Sequence, residues 1–368
     1  MPRASAPTVL SVQTWALNTK GVRHKGGPFC YNRTMVTRAF DKTDARLLEL
    51  LQREFPLVAR PFEAMGARLG ISGDEVMERV SRLKHDGVIR QISAIFDSAA
   101  LGYSGELVAL KTDPDALDSV AAAVSAHKGV SHCYSRDAEY NLWFTITLGP
   151  EVDLAQEVET LSKTPGVLSF LRLPAIRVFK IGVFLDVTGD NASRSEKPTQ
   201  NTRQIVRKHG PLDPKFRPFV RVLQQNLPIS ENPFSDLATA AKMTETDLIS
   251  HANQLLADGT MRRFAAVLKH VTAGFTLNAM VCWAAAPDQI EQAGIELAKH
   301  DSVSHCYQRT TSQDWPWPLY TMIHCRTESE LKTIISELAA NSELTDYRVL
   351  RTLKEYKKSR VTYFESAN

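Results

Sequence analysis

The stretch VSHCYSR at residues 130–136 returns as VSHCYQR at 303–309, differing only at the sixth letter. Imidazole, phenol and guanidinium in so short a run suit the binding and protonation of an anionic substrate. Alternate residues of a strand share a face. Val130, His132, Tyr134 and Arg136 would form one stripe, and Val303, His305, Tyr307 and Arg309 a second. Cys133 and Cys306 would point the other way as small core residues. A further strand follows each stripe: NLWFTI at 141–146 and, after a four-residue insertion, PLYTMI at 318–323. Pairing it as a hairpin sets Tyr320, Met322 and His324 on the face of His305. Arginine grips carboxylates bidentately, and histidine is the usual proton donor near neutrality. A His/Tyr/Arg stripe is costly to bury under helices unless paired, so the open face of a sheet is its expected place.

The elements that must position the stripes are themselves duplicated. DGVIR at 86–90 matches DGTMR at 258–262, and ISAIFDSAALGY at 92–103 matches FAAVLKHVTAGF at 264–275. Each half ends in an extended segment, RVFKIGVFLDV (177–187) and KEYKKSRVTYF (354–364), the second strongly charged. In the first half, TDARLLELLQREF has helical apolar spacing with Thr43 as N-cap, and PFEAMGARLGI follows. A third helix is opened by Ser72 and closed by Gly87. With the wing VIRQISAIFD these spell a winged helix-turn-helix, repeated by FRPFVRVLQQN, SDLATAAKM and TETDLISHANQLLADG. The order strand, helix, strand, strand, helix, strand comes next, near 103–112, 114–127, 130–136, 141–148, 152–163 and 167–173. This is the ferredoxin-like βαββαβ plan, with an extra C-terminal strand.

The expected fold class is therefore α+β, a tandem duplication of a winged helix-turn-helix plus a ferredoxin-like domain. The boundaries fall at 1–39 (an N-terminal tail or upstream extension, with Met35 a candidate start), 40–100, 101–187, a polar linker at 188–212, then 213–272 and 273–368.

Of the 368 residues 43% are apolar and 23% charged, and the net charge of +3 is too near zero to argue for nucleic acid or membrane binding. No apolar run reaches the ~18 residues of a membrane span. Neither a signal sequence nor a CxxC pair is evident, so the five cysteines read as reduced thiols and the chain as cytoplasmic.

The helix-turn-helix followed by a ferredoxin-like domain resembles the Lrp/AsnC transcription regulators, whose reading is a DNA-binding sensor of a small molecule. The third helices speak against it. The first opens on Asp74 and Glu75, and the segment from Thr244 to Asp258 has neither Lys nor Arg. Such helices repel phosphate and lack base-reading side chains, so no DNA partner is expected.

At RRFAAVLKHVTAGFTLNAMVCW, VSHCYQR, WPLYTMIH and EYNLWFT, the chain resembles the siroheme decarboxylases. It is similar to their fused two-subunit form of heme d1 biosynthesis. The resemblance runs from about residue 40 onward and implies removal of carbon dioxide from the acetates at ring positions 12 and 18. Family members often carry His just before the YNLWFT string, where this chain has Ala138 and Glu139. Two homologous subunits would here be joined by the linker. Their two open faces would meet around a cavity for a flat macrocycle with many carboxylates.

His305, His324, His132 and Tyr307 are the catalytic candidates. Arg90, Arg136, Arg262, Arg263, Arg309, His270, Lys269, Trp143 and Tyr320 are the candidates for holding substrate. No cofactor is expected, because the macrocycle is its own electron sink and the iron belongs to the substrate. A histidine can ligate that iron axially. No metal of the protein's own is expected, since no tetrahedral His/Cys spacing is present. Expected partners are siroheme, other heme d1 biosynthesis proteins and a second copy of the chain. Two rival readings stand beside the enzyme: a tetrapyrrole-sensing regulator, which predicts DNA retention at low salt, and an inactive partner of a separate decarboxylase, which predicts siroheme binding without turnover.

Overall fold

A computed structural model describes residues 41–181, 212–268 and 277–365, together with the backbone of strands at 10–17, 33–40 and 203–204. Strands β1 (Leu10–Leu17) and β2 (Arg33–Phe40) pair antiparallel, so the segment read as a tail contains sheet. Helix α1 (Lys42–Arg53) is capped by Asp41, whose carboxylate accepts the Asp44 N–H at 2.6 Å, rather than by Thr43. Helices α2 (Pro61–Leu69) and α3 (Gly73–His85) follow, and Ser72 caps α3 by accepting from Glu75 N at 3.1 Å. Gly87, at φ +72°, supplies the left-handed turn into β3 (Ile89–Phe96). Then come β4 (Ser104–Thr112), α4 (Leu117–Ala126), β5 (Val130–Arg136), β6 (Leu142–Leu148), α5 (Leu154–Ser162) and β7 (Val167–Ile181). The expected extra strand is not separate: β7 runs through it unbroken.

After the two-residue β8 (Arg203–Gln204) the plan repeats. Helices α6 (Arg217–Leu223), α7 (Pro233–Ala240) and α8 (Glu245–Ala257) lead to β9 (Met261–Leu268). The ferredoxin-like part is β10 (Leu277–Trp283), α9 (Ile290–Lys299), β11 (Val303–Arg309), β12 (Leu319–Cys325), α10 (Glu328–Ser342) and β13 (Tyr347–Lys358).

The two wings do not stand apart. β3 and β9 pair antiparallel about Ser93↔Ala265, and one core runs through both helical units, with Phe55 5.1 Å from Phe264. The two arginines of α3 are paired with acids: Arg79 with Asp41, Asp44 and Glu75, and Arg82 with Asp44. These helices are packing elements.

The two ferredoxin-like sheets close on each other. The first part of β7 pairs with β4 in its own sheet, and the rest with β11 of the other half. β13 does the same with β10 and then β5. The result is a ring of eight antiparallel strands in the order β11, β12, β10, β13, β5, β6, β4, β7 and back to β11. Cores under α4 and α5, and under α9 and α10, cover its outside. The inside holds side chains of both halves. Four antiparallel steps separate β5 from β11, so these two strands run parallel and their first residues lie at the same end of the ring.

Candidate functional site

That shared end is the mouth of the ring. β5 carries His132, Tyr134 and Arg136 on the inner face, because Cys133 packs outward against α4. β11 likewise carries His305, Tyr307 and Arg309 inward, with Cys306 in the opposite core. One expectation is corrected in both halves. A β-bulge between Val130 and His132, and another between Val303 and His305, turn both valines into the helix-side cores. Each stripe therefore starts at its histidine.

Each stripe is a stack. His132 lies against Tyr134 at 6.2 Å between centroids and His305 against Tyr307 at 6.1 Å. The Arg136 guanidinium sits 5.8 Å from the Tyr134 ring and that of Arg309 4.8 Å from Tyr307. Each histidine is fixed at Nδ1 by the serine before it, Ser131 at 3.0 Å and Ser304 at 2.9 Å. His324 joins the same mouth from β12. Its backbone N–H bonds Ser302 O, and Tyr320 and Met322 share its inner face.

Arg136 and Arg309 are buried and clamp the halves together. Arg136 donates to Leu350 O at 3.0 Å and to Thr352 Oγ1 at 3.2 Å; Arg309 donates to Leu173 O at 2.7 Å. Burial pulls the Arg136 pKa down to about 10. The Nε of each is buried without a hydrogen-bond partner among the described residues.

The far end of the ring is plugged. Trp143, 1% exposed, donates to Tyr140 O at 2.6 Å and packs on Trp315 at 5.5 Å. Trp315 donates to the Tyr320 hydroxyl at 2.8 Å. Trp315 and Trp317 come from the four-residue insertion, folded inward. Trp143 and Tyr320 stand directly across from Tyr134 and Tyr307 on the inner face, and Trp315 packs against both.

The wing ribbon stands over the mouth. Arg90 donates to Lys358 O at 3.4 Å and faces His132. Arg262 pairs with Asp97 at 2.9 Å and faces Tyr307. Arg263 lies opposite Ile95 in the ribbon. Lys269 and His270 fall outside the described residues. Burial, then Lys358 and Arg90, hold the His132 imidazole down to about 4, so it is neutral near pH 7. Burial and a hydrogen bond to Glu355 push the Tyr134 phenol up.

Sequence reasoning missed the residues that follow the ring. The backbone N–H of Ser359 bonds Ser131 O at 2.8 Å, and Arg360 donates to Ser93 Oγ and to Ala94 O in the ribbon. The Tyr363 hydroxyl meets Ser98 at 2.6 Å, and Phe364 enters the helical core. The only signal was a charged C-terminal string with two aromatics at its end.

Among the described residues, no three or more His, Cys, Asp or Glu side chains are grouped to hold a metal ion, and no helix is long and apolar enough to cross a membrane.

A duplicated helix-turn-helix and AsnC-like ring with a histidine-lined mouth defines a small-molecule-binding protein built from two fused homologous units. Residues 100–180 and 272–357 match the AsnC-like ligand binding domain, and residues 44–90 and 217–262 match the siroheme decarboxylase NirDL-like HTH domain. The siroheme decarboxylase of Hydrogenobacter thermophilus is 36% identical over 326 residues, 88% of this chain and 95% of the relative. The siroheme decarboxylase beta subunit of Desulfovibrio desulfuricans is 42% identical over 154 residues, 42% of this chain but 97% of the subunit. The crystal structure of the siroheme decarboxylase NirDL with an iron-uroporphyrin III analogue superposes with a TM-score of 0.70 at 30% identity, covering 88% of this chain and 95% of the other. The chain belongs to the siroheme decarboxylase family.

Proposed function

We propose that this chain removes carbon dioxide from the acetate side chains at ring positions 12 and 18 of siroheme. The product is 12,18-didecarboxysiroheme, in heme d1 or alternative heme biosynthesis. The observation that carries this reading is the pair of His–Tyr–Arg stacks at one mouth of a closed ring, in a member of this family. In each decarboxylation the bond between the acetate methylene and its carboxyl breaks and carbon dioxide leaves. The electron pair spreads into the conjugated ring, and a proton then closes the methyl group. The macrocycle takes up the electrons, so no separate cofactor is invoked, and the iron arrives with the substrate.

His132, His305, His324 and Tyr307 face the position where the proton is needed. His132 is neutral in the free site, and carboxylates entering beside it raise its proton affinity. It therefore holds a proton to donate only when substrate is bound. His305 or His324 would be the imidazole to ligate the substrate's iron.

The regulator reading is disfavoured by α8, which has neither Lys nor Arg, and by α3, whose arginines are tied to acids. We place the protein in the cytoplasm, where the buried free thiols Cys133, Cys282, Cys306 and Cys325 would stay reduced. We further infer that a second copy and other heme d1 enzymes are its protein partners, which sizing chromatography and pull-down would test. The decisive experiment is anaerobic incubation with siroheme, followed by product mass. Loss of two carboxyl groups is expected, and bound but unchanged siroheme would sink the reading.

A further inference from the structure

We propose that the C-terminal strap, residues 358–364, completes the substrate site. In this proposal Lys358 and Arg360, beside Arg90, form a carboxylate-recognising edge over His132 that the second half lacks. The proposal rests on the siroheme reading and adds residues that neither the repeated stripes nor the family resemblance singled out.

The placement comes from the register. β13 lies on β5 with Lys358 opposite His132 and Glu355 opposite Tyr134. Beyond Lys358 the chain leaves the ring, bonds Ser131, and crosses to the ribbon, where Arg360 donates to Ser93 Oγ and Ala94 O. The Tyr363 phenol and the Arg90 guanidinium are its neighbours there. Lys358 meets one carboxylate, Glu355, at 3.9 Å, and Lys358 stays exposed. Arg90 and Lys358 both face His132. Three cations at one edge, with Glu355 the one carboxylate paired to Lys358 among the described residues, favour a polyanionic ligand.

The equivalent edge of the other half is different. β7 sets Ile181 opposite His305 and Val178 opposite Tyr307. Arg262, the counterpart of Arg90, is already paired with Asp97. The sequence continues with Gly182 and Val183 in the positions of Ser359 and Arg360, outside the described residues. Among the described residues, the end strand thus brings a cation to the His132 edge and apolar side chains to the His305 edge. A flat macrocycle with unequal edges would enter in one orientation.

The test uses the full-length protein and two iron tetrapyrroles, followed by anaerobic spectral titration. Iron-uroporphyrin III is rich in carboxylates; protoheme carries far fewer. Lys358→Ile installs the residue of the other half at an exposed position and leaves the fold intact. It should weaken iron-uroporphyrin binding about ten-fold and flatten its salt dependence, with protoheme affected much less. Arg360→Gln should show the same selectivity with a larger loss, and its circular dichroism melt reports whether the strap remains docked. Equal losses for both ligands, or none in Lys358→Ile, would overturn the proposal while leaving the decarboxylase reading standing. Failure of the wild-type protein to bind iron-uroporphyrin would overturn both.

Discussion

The two long end strands, β7 and β13, are the same element in the two halves, and they differ most in chemical character on the inner face. On the outer face both keep a lysine that donates to the end of a helix: Lys180 to His300 O at 2.8 Å, Lys357 to Ser125 O at 2.7 Å and His127 O at 2.9 Å. Their paired bulges fall at matching positions. On the inner face Val178 and Ile181 stand where β13 has Glu355 and Lys358. The contacts that close the ring are retained, and the residues that face the mouth are not. Two equal sites would require two equal inner faces. The end strands give the two stripes unlike neighbours, Val178 and Ile181 beside Tyr307 and His305 but Glu355 and Lys358 beside Tyr134 and His132.

That contrast is open to attack at several strengths. The largest effect should come from the histidines. His132→Ala is expected to lower turnover of bound siroheme by about 10²-fold or more, the usual worth of a positioned proton donor. His305→Ala should lower it less and mainly disturb the spectrum of the bound iron. Single-turnover absorbance separates the two, and the reverse ranking would move the reacting edge to the second half.

The plug and the mouth should also differ in what they hold together. Trp315 is fully enclosed between Trp143, Tyr140 and Tyr320. Trp315→Ala is expected to cost about 3–5 kcal/mol of stability through the cavity it leaves. Lys358→Ile should change stability by no more than about 0.5 kcal/mol. Chemical denaturation measures both. A large loss for Lys358→Ile would make the mouth structural.

The smallest effect is in pH. The imidazole of His132 titrates near pH 4 in the folded chain against an ordinary 6.5. Between those values the unfolded chain binds a proton that the folded chain refuses. The stability this site contributes is therefore complete above about pH 6.5 and drains away as the pH falls toward 4. The wild-type protein should lose more stability than His132→Gln between pH 7 and 5. Removing the Lys358 charge should raise the His132 pKa, which nuclear magnetic resonance of the imidazole reads directly. A titration near 6.5 in the wild-type protein would show that the mouth is wet and weakly charged.

Much of this was legible in the sequence because it repeats. The two VSHCY strings placed His132, His305, Tyr134 and Tyr307 on inner faces, and alternation placed His324 beside them. The helix-turn-helix units were legible from spacing, and the acids of the third helices already spoke against DNA. What stayed hidden depends on backbone detail or distant contact. A bulge has no residue signature in VSH, so Val130 and Val303 were set on the wrong face. Arg136 and Arg309 read as carboxylate grips, yet each reaches a backbone carbonyl of the opposite half, which only ring closure brings near. Trp143 and Tyr320 share the inner face with the stripes, as a hairpin pattern gives, but that pattern could not show that Trp315 packs against both. The C-terminal strap looked like a charged end, and its docking depends on residues more than a hundred positions away, such as Ser131, Ser93 and Gln224.

The most direct test of the asymmetric site is its stoichiometry. Siroheme titrated anaerobically into the full-length protein should saturate at one equivalent per chain, with a single spectral transition. Two equivalents per chain, bound alike, would contradict the account and restore two equal sites.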